Sequence, residues 1–274
     1  MSTASRVWLI SGCSSGFGRA LAEAALERGE SVLATARRPE SLAALTDRFG
    51  ARVRTRALDV TQPEQVHAVV QEARDCFGRL DVLVNNAGYG MQGAIEDVPE
   101  DEARKLFETN VFGVLSLTRA ALPLMRAQRS GHIVNISSVG GRTSAPLIGL
   151  YSATKFAVEG LSVALSAELA PHGIRVTVVE PGAFATQFAT AVRSVTPSAA
   201  YAALDAQLSA VLKSLKWGDP QDAARAILEA LDAPEPPRRL VLGEHALAMV
   251  RQTLAEQLAE LERWQRLSAR AAPA

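Results

Sequence analysis

The sequence predicts an α/β fold, a doubly wound Rossmann-type parallel sheet of about seven strands with helices on both faces in three α/β/α layers. Three observations predict it. Short β-branched runs alternate with longer amphipathic stretches, the runs are apolar at nearly every position, and a glycine-rich turn follows the first of them. Strands separated by helices pair in parallel through right-handed crossovers. Unbroken apolar strands are typical of a sheet buried on both faces.

Glycine and proline residues mark the ends of several predicted helices in the first half of the chain. Gly29 and Gly78 each follow a helix, where glycine is favoured, and Pro39 stands at the start of another. The predicted elements of this half are, in order, strand Arg6–Ser11, helix Arg19–Arg28, strand Ser31–Ala36, helix Pro39–Phe49, strand Val53–Val60, helix Pro63–Phe77 and strand Asp81–Asn85.

The second half continues the alternation with one long helix, Glu100–Arg129, in which Pro123 predicts a kink near the end. Residues 183–217 are predicted to be loop and short helix, and the cluster Pro234–Pro237 a local turn rather than a boundary. We therefore expect residues 1–274 to form a single domain. The other predicted elements are strand His132–Ile136, helix Tyr151–Ala170, strand Ile174–Val179, helix Pro220–Leu231, strand Arg239–Leu242 and helix Ala246–Leu267.

The composition argues against several classes of function. The 274 residues include 29 basic and 29 acidic side chains, and a net charge of zero argues against binding nucleic acid by phosphate neutralisation. Cys13, Cys76 and four scattered histidines do not have the spacing of metal ligands. The sequence shows no targeting signal and no apolar stretch long enough for a membrane span. We expect a cytoplasmic protein that binds neither metal nor membrane.

The glycine-rich turn after the first strand predicts a phosphate site. Residues 11–18 read Ser-Gly-Cys-Ser-Ser-Gly-Phe-Gly and lead into the first helix. Gly12 permits a tight exit from the strand, and Gly16 and Gly18 let a ligand and the helix approach the backbone. Free N–H groups and the helix dipole attract anions there. The spacing departs from G-x-G-x-x-G, and glycines can serve chain geometry alone, but the position after the first strand favours a pyrophosphate.

The end of the second strand bears on the choice of dinucleotide. Sheets that bind NAD usually carry a carboxylate here for the ribose 2′-hydroxyl, about 20 residues after the glycines. This strand instead ends in Ala36, Arg37 and Arg38, and the nearest acid, Glu40, lies in the next helix. Arginine grips a 2′-phosphate with paired donors. The sequence therefore favours NADP(H) over NAD(H), although a solvated basic turn would look the same.

Tyr151 and Lys155 are four residues apart in a predicted helix, so their side chains share one face. A free phenol has a pKa of about 10. A cation about 4 Å away contributes roughly 4 kcal/mol at an effective dielectric of 20, which lowers that pKa by about three. We therefore expect the pKa of Tyr151 to lie near neutrality, as suits a general acid or base. Taken alone, this spacing is common and favours a surface pair.

Two further motifs lie at the ends of predicted strands, where ligands bind in open α/β sheets. Ser138 follows one strand, and its hydroxyl can hydrogen-bond a carbonyl oxygen. Residues 85–88, Asn-Asn-Ala-Gly, end another strand, although their composition also suits a simple turn.

Taken together, these motifs resemble those of the short-chain dehydrogenase/reductase family, in its single-domain branch. The resemblance runs from about Arg6 to about Leu242, and Ser138 stands thirteen residues before Tyr151, the usual interval in the family. Glu180, Tyr89 and Gly90 resemble the subgroup of 17β-hydroxysteroid and retinol dehydrogenases. The matching motifs are G-x-x-x-G-x-G at 12–18, Asp59, Asn-Asn-Ala-Gly at 85–88, Asn110, Ser138, Tyr-x-x-x-Lys at 151–155 and Pro181-Gly182.

The resemblance implies a role for each matching residue. Tyr151 would exchange a proton with the substrate as a nicotinamide exchanges hydride, and Lys155 would lower its pKa and hold the ribose. Ser138 would polarise the carbonyl, and Asn110 would support a proton relay through water. The implied cofactor contacts are Gly12, Ser14, Ser15, Gly16, Phe17, Gly18, Arg37, Asp59 and Val60 beside the adenine, Asn86, Ala87, Gly88, Tyr151, Lys155, Pro181, Gly182, and Phe184 and Thr186 at the carboxamide.

The predicted substrate is a small apolar ketone, aldehyde or secondary alcohol. Apolar residues in 183–217, among them Phe188, predict a lid, and Tyr89 would line the other side. Ordinary packing would explain these aromatic residues equally well. The family resemblance also implies a homodimer or homotetramer. A non-catalytic NADPH sensor on the same fold is the alternative function, but such a sensor would be expected to lack the tyrosine or the lysine.

Overall fold

A seven-stranded parallel sheet forms the centre of the computed structural model, which describes residues 5–188 and 192–271. From edge to edge its strands lie in the order β3-β2-β1-β4-β6-β7-β9, and β5 and β8 form a separate two-stranded sheet. The strands are β1 (Val7–Ile10), β2 (Ser31–Ala36), β3 (Val53–Ala57), β4 (Val82–Asn85), β5 (Met91–Gln92), β6 (Gly131–Ile136), β7 (Ile174–Pro181), β8 (Arg193–Ser194) and β9 (Arg239–Leu242).

Helices cover both faces of the sheet, as the alternating sequence predicts. Side chains of β1 show this division, since Trp8 and Ile10 lie in the core under α1 and α8, whereas Leu9 lies in the core under α3 and α5. The predicted fold class is therefore confirmed. The helices are α1 (Gly16–Glu27), α2 (Ala43–Phe49), α3 (Pro63–Phe77), α4 (Glu100–Phe107), α5 (Gly113–Gln128), α6 (Gly149–Leu169), α7 (Ala202–Ser214), α8 (Pro220–Asp232) and α9 (Glu244–Ser268).

The predicted long helix over 100–129 is helical from Glu100 to Gln128, but it is not α-helical throughout. Between α4 and α5 the chain forms a π-helical segment, Glu108–Phe112, and Pro123 lies inside α5. A π-turn inserts an extra residue into the helix and is frequent at functional sites. Here the insertion contains Asn110, whose buried side chain faces the ends of the strands.

Other differences concern short elements and boundaries. Helix α1 begins at Gly16, three residues before the predicted start, because the glycine-rich turn itself closes into the helix. The predicted helix over 39–49 begins as a 3₁₀ turn, Pro39–Leu42. The predicted strand over 53–60 ends at Ala57. Segment 183–217 contains β8 and the 13-residue helix α7, and its residues 189–191 lie outside the described part of the chain.

Among the described residues, no helix is long and apolar enough to span a bilayer, and no group of three or more His, Cys, Asp or Glu side chains is placed to hold a metal ion.

Buried amides fasten the middle of the sheet to the helices on one face. Asn85 on β4 and Asn135 on β6 are directly paired in register, and the Asn85 amide donates to Asn135 Oδ1 (2.8 Å) and to Thr118 Oγ1 (3.0 Å) on α5. The Asn135 amide donates to Ser162 Oγ on α6 (2.8 Å). Because buried polar groups are costly when unpaired, this chain fixes α5 and α6 relative to the strand ends.

We expect Asn135→Ala to lower the free energy of unfolding by about 3 kcal/mol, because it removes the buried acceptor of one Asn85 amide N–H and the buried donor to Ser162 Oγ. Urea denaturation followed by circular dichroism measures the change. Gln257→Ala, at an exposed position on α9, is the matched control and should change stability by less than about 0.5 kcal/mol. Equal stability of the two variants would contradict the structural role assigned to the amide chain.

Candidate active site

The candidate site lies at the carboxyl edge of the parallel sheet. Strands β1 and β4 are neighbours there, yet the sheet continues from β1 through β2 to β3 and from β4 through β6 to β7 in opposite directions. Diverging crossovers leave a crevice at such a switch point, which is the usual ligand site of open α/β sheets. The loops after β1, β4, β6 and β7 carry many of the residues that the sequence singled out, and the π-helical segment and α6 carry Asn110, Tyr151 and Lys155.

The glycine-rich turn has the shape of an anion cradle. Gly12 and Gly16 have φ values of 74° and 59°, a left-handed conformation that favours glycine. A Cβ atom on Gly18 would lie 2.4 Å from the Gly12 carbonyl oxygen, so only glycine fits there. Ser15, the N-cap of α1, makes no side-chain capping bond. The first N–H groups of α1 therefore have no side-chain cap, and Ser14 is exposed beside them.

Ser11 and Asn86 hold the turn against the neighbouring strand end. The Ser11 hydroxyl donates to the Val84 carbonyl (3.2 Å) and accepts from the backbone N–H groups of Asn86 and Ala87 (3.0 Å each). The Asn86 amide donates to the carbonyls of Ser11 (2.9 Å) and Gly12 (3.0 Å). These bonds hold the glycine-rich turn against the end of β4 and the residues that follow it. The Ser11 hydroxyl therefore joins the glycine-rich turn to the residues that follow β4.

The arginines after β2 are exposed, and the Arg37 guanidinium makes no ion pair or hydrogen bond with the described residues. No carboxylate lies between Ala36 and Arg38. On the next strand end, Asp59 Oδ1 accepts from the Thr61 hydroxyl (2.7 Å) and the Thr61 N–H (3.0 Å). Val60 is buried, and a Cβ on Gly113 of α5 would touch it. Val60 therefore packs mainly into the core.

The four residues predicted to be catalytic meet at the ends of β4 and β6. A Cβ built on Gly140 would lie 3.4 Å from Ser138 Oγ and 3.6 Å from Tyr151 Cε1. One on Gly88 would lie 3.0 Å from Asn110 Oδ1 and 3.9 Å from Lys155 Nζ. The two glycines thus leave room around a common cluster. Its members are Asn110, Ser138, Tyr151 and Lys155.

Lys155 is buried, and its ammonium donates to the Ile136 carbonyl oxygen at the end of β6 (2.8 Å). Its Nζ lies 5.8 Å from the centre of the Tyr151 ring, one helical turn away. Burial lowers the pKa of Lys155 to about 8, and the nearby Glu159 carboxylate opposes that fall. The lysine is therefore still mostly protonated at neutral pH.

The expectation of a nearly neutral pKa for Tyr151 was wrong for the protein alone. Burial raises the pKa of Tyr151 to about 12, and a hydrogen bond with Ser138 lowers it by a smaller amount. The prediction of this pKa from the sequence included the attraction of a close ammonium but not the loss of hydration that burial causes. It also placed the ammonium about 4 Å away, whereas Lys155 turns its ammonium to the Ile136 carbonyl.

Asn110 holds the loop after β4 by both ends of its amide. Its Oδ1 accepts from the Tyr89 N–H (3.1 Å), and its Nδ2 donates to the Tyr89 carbonyl (2.9 Å) and to Thr154 Oγ1 (3.2 Å). Thr154 in turn donates to the Tyr151 carbonyl (2.7 Å). Sequence reasoning missed Thr154, whose only signal is a hydroxyl between Tyr151 and Lys155 on the same helix.

The segment after β7 folds back toward the glycine-rich turn. Phe184 packs edge to face on Phe17, with ring centres 5.2 Å apart, and Thr186 lies against Gly16. Gly182 follows Pro181 and donates its N–H to the Leu242 carbonyl (3.0 Å). The structure therefore places Phe184 and Thr186 beside the cradle.

The substrate side of the site is apolar. The Phe188 ring lies 5.7 Å from the Tyr151 ring, and a Cβ on Gly90 would touch both Phe188 and Val192. Strand β8 pairs with β5 and so ties the lid to the loop after β4. The Arg193 guanidinium stacks over the Tyr89 ring at 4.7 Å. Sequence reasoning missed this two-stranded sheet because each strand has only two residues.

Comparisons with known proteins agree with this geometry. A family model described as short chain dehydrogenase matches residues 6–196. The chain is 41% identical over 268 residues to Oxidoreductase BOA17 of Botryotinia fuckeliana, covering 96% of this chain and 98% of that protein. It is 44% identical over 183 residues to a 3-ketodihydrosphingosine reductase of Bacteroides thetaiotaomicron, covering 67% of this chain and 65% of that one.

Solved structures show the same fold. A short-chain dehydrogenase from Streptomyces avermitilis superposes with a TM-score of 0.93 at 44% identity, covering 98% of this chain and 100% of that one. A short-chain dehydrogenase/reductase from Burkholderia phymatum in complex with NAD gives 0.82 at 31% identity over 94% and 95% of the chains. ElxO with NADP bound gives 0.75 at 28% identity over 89% and 99%.

We expect the phenolate of Tyr151 to be absent at neutral pH in the protein without ligands and to form with a midpoint near pH 12. The ultraviolet absorbance of phenolate, measured as wild type minus Tyr151→Phe, isolates this residue from the other two tyrosines. The difference should stay near zero up to pH about 10, the ordinary value for tyrosine. Tyr201→Phe is the control and should leave this component in place. A Tyr151 component titrating at pH 7–8 would mean that the ammonium outweighs burial.

Proposed function

The chain belongs to the short-chain dehydrogenase family and is an NAD(P)-dependent oxidoreductase, and from this premise we propose that it transfers hydride between NADP(H) and an apolar ketone, aldehyde or secondary alcohol. One observation carries the proposal: Tyr151 lies beside Ser138 and one helical turn from a buried ammonium, at the carboxyl edge of the parallel sheet. Residues 1–274 would form a single domain for this reaction.

The described residues fit a dinucleotide. The cradle at Gly12–Gly18 offers left-handed glycines, a backbone that excludes a Cβ at Gly18, and uncapped N–H groups at the start of α1. These features suit a pyrophosphate. The Lys155 ammonium has three N–H donors and gives one to the Ile136 carbonyl, so a ribose hydroxyl would find a donor there. When bound, the nicotinamide supplies the hydride.

The preference for NADP(H) is supported by the charge at the end of β2. Arg37 is exposed, its guanidinium makes no bond to the described residues, and no carboxylate stands where a ribose 2′-hydroxyl would need one. A 2′-phosphate would find paired donors in this guanidinium. Related proteins have been solved with either dinucleotide, since the Burkholderia phymatum structure contains NAD and the ElxO structure contains NADP.

Each catalytic residue has a defined task in the proposed reaction. The Tyr151 hydroxyl donates its proton to the substrate oxygen as negative charge develops there, and the Ser138 hydroxyl hydrogen-bonds the same oxygen. The Lys155 ammonium stabilises the phenolate that results. Asn110 holds the Tyr89 backbone and, through Thr154, the first turn of α6, so that the tyrosine stays in place.

An apolar carbonyl compound is supported by the residues opposite Tyr151. Phe188, Val192 and the loop after β4 present ring and aliphatic surface there. The relative from Bacteroides thetaiotaomicron is named a 3-ketodihydrosphingosine reductase, and that name denotes the reduction of a keto compound. A polar sugar would leave hydroxyl groups without partners against these side chains.

We also propose that the protein forms a homodimer or homotetramer in the cytoplasm. Phe112, Phe156 and Val163 lie on the π-segment and on α6, and each is about half exposed. Large apolar side chains on one surface of a protein are typical of subunit contacts.

We expect Tyr151→Phe to lower kcat by at least about 100-fold because it removes the proton donor without changing the cofactor cradle. Steady-state rates with a panel of apolar ketones and alcohols are followed at the absorbance of NADPH, and its binding by fluorescence titration. The NADPH Kd should stay within about twofold of wild type. A variant that binds NADPH and still turns over at the wild-type rate would contradict the role of Tyr151. If the wild type binds NADPH but turns over no substrate in the panel, the sensor alternative is favoured.

We expect Arg37→Ala to weaken binding of NADPH by about 10- to 100-fold and binding of NADH by less than about twofold, because only NADPH carries the 2′-phosphate. Fluorescence titration with each dinucleotide gives both values of Kd. Arg251→Ala, which removes an exposed arginine from α9, is the matched control. Equal losses for both dinucleotides in Arg37→Ala would remove the argument for NADP(H).

A further inference from the structure

Helix α6 carries a third charged group behind the catalytic pair. Tyr151, Lys155 and Glu159 are spaced four residues apart and therefore follow one face of the helix. Glu159 is only 5% exposed, although it reaches neither the cradle nor the substrate side. A buried carboxylate on this face is costly unless it is paired with positive charge.

The partners of Glu159 form a buried ion cluster, which we define as Glu159, Glu180, Arg142 and Arg239. Arg239 Nε on β9 lies 3.1 Å from Glu159 Oε2 and 3.5 Å from Glu180 Oε1 on β7. Arg142 Nη1, in the loop after β6, lies 3.1 Å from Glu180 Oε1. Two carboxylates and two guanidiniums thus join α6 to the loop after β6, the carboxyl end of β7 and the first residue of β9.

The two carboxylates of the cluster are not paired with arginine to the same extent. Glu180 is fully buried between both arginines, whereas Glu159 bonds only Arg239 and leaves its Oε1 buried without a hydrogen bond. Arg239 is 39% exposed, so water screens part of its charge. Some of the negative charge of Glu159 therefore stays uncompensated on the face of α6 that holds the lysine.

Tight packing keeps Glu159 close to the end of β6. A Cβ on Gly141 would lie 3.1 Å from Glu159 Cγ, 3.1 Å from the Lys155 carbonyl oxygen and 2.6 Å from Ser137 Oγ. The carboxylate, the lysine backbone and the turn that follows β6 therefore meet at this glycine. Lys155 donates to Ile136 directly before that turn.

We propose that Glu159 is a positioning residue of this oxidoreductase: anchored by Arg239, its carboxylate supplies the negative charge that keeps Lys155 an ammonium in a buried place. The inference rests on the proposed function of Lys155 beside Tyr151. It assigns a task to a group that touches neither substrate nor cofactor.

The charged groups around Glu159 set the direction of its effect. Lys155 and Tyr151 face it along α6, Arg239 faces it from β9, Glu180 from β7, and Arg142 lies behind Glu180 after β6. Burial pulls the pKa of Lys155 down to about 8 and Glu159 pulls it up. Removing the carboxylate should therefore make Lys155 lose its proton at lower pH, and removing Arg239 should do the opposite.

The test follows the titration of Lys155 directly. The chain has four lysines, Lys105, Lys155, Lys213 and Lys216, so protein labelled with ¹³C in lysine gives few Cε signals, and Lys155→Met identifies the relevant one. In Glu159→Gln the midpoint of Lys155 should fall by about one pH unit. The alkaline limb of kcat/KM should move down with it. Glu168→Gln, an exposed carboxylate on the same helix, should move neither.

In Arg239→Gln we expect the midpoint of Lys155 to shift in the opposite direction and rise, because this variant removes the cation that offsets the charge of Glu159. A purely structural role would shift both variants the same way or leave both at the wild-type value, and either result would overturn the inference. If Glu159→Gln does not fold, the direction in Arg239→Gln decides alone. The nuclear magnetic resonance titration needs no turnover, so it stands apart from the proposed function. If Tyr151→Phe stays active while the midpoint of Lys155 shifts as expected in the Glu159 and Arg239 variants, only the role of Tyr151 is refuted. If Tyr151→Phe is inactive and the midpoint of Lys155 does not shift in those variants, only the role of Glu159 is refuted.

Discussion

The buried ammonium of Lys155 donates a hydrogen bond to the Ile136 carbonyl, 2.8 Å away, and the arrangement of the site follows from that bond. It fixes α6 against the end of β6. Ser138 stands two residues after Ile136, and Tyr151 one helical turn before Lys155, so the same bond sets the register between the two hydroxyls. Burying a cation costs free energy, and the protein offsets that cost with a carbonyl on one side and a carboxylate behind.

Other buried polar side chains also fix the helices relative to the strand ends. Asn85 and Asn135 bridge β4 and β6 and continue to α5 and α6 through hydroxyl groups. Asn110 joins the π-helical segment to the loop after β4 and, through Thr154, to α6. Each of these amides would be destabilising without its partners, so the network permits one relative placement of strands and helices. The predicted catalytic cluster comes from the π-helical segment, the loop after β6 and α6, and it needs that single arrangement.

The sequence predicted the sheet because strands and helices depend on strong local signals, whereas the members of the site were predicted from a combination of motifs that resembles a known family. The bounds of β2, α3 and β9 agree residue for residue with the predicted ones, and each is delimited by glycine, proline or a clear change of periodicity. The π-helical turn at Asn110 has no such signal, since it arises where the helix must turn an amide toward strands distant in sequence. Strands β5 and β8 have two residues each and pair between segments that are distant in the sequence, so no local pattern indicates them. The partners of Glu159 come from β7, β9 and a turn, and no spacing along the chain joins them.

The electrostatics of the site illustrate why spacing alone misjudged Tyr151. A tyrosine and a lysine one turn apart attract each other, and the Coulomb energy is easily estimated from the sequence. Burial acts on both at once, raising the pKa of the phenol to about 12 and lowering that of the ammonium to about 8. The two shifts leave both groups protonated at neutral pH, so the protein by itself is prepared to give a proton. Taking one up in the oxidative direction requires that the phenol first ionise, and burial makes that step the harder one.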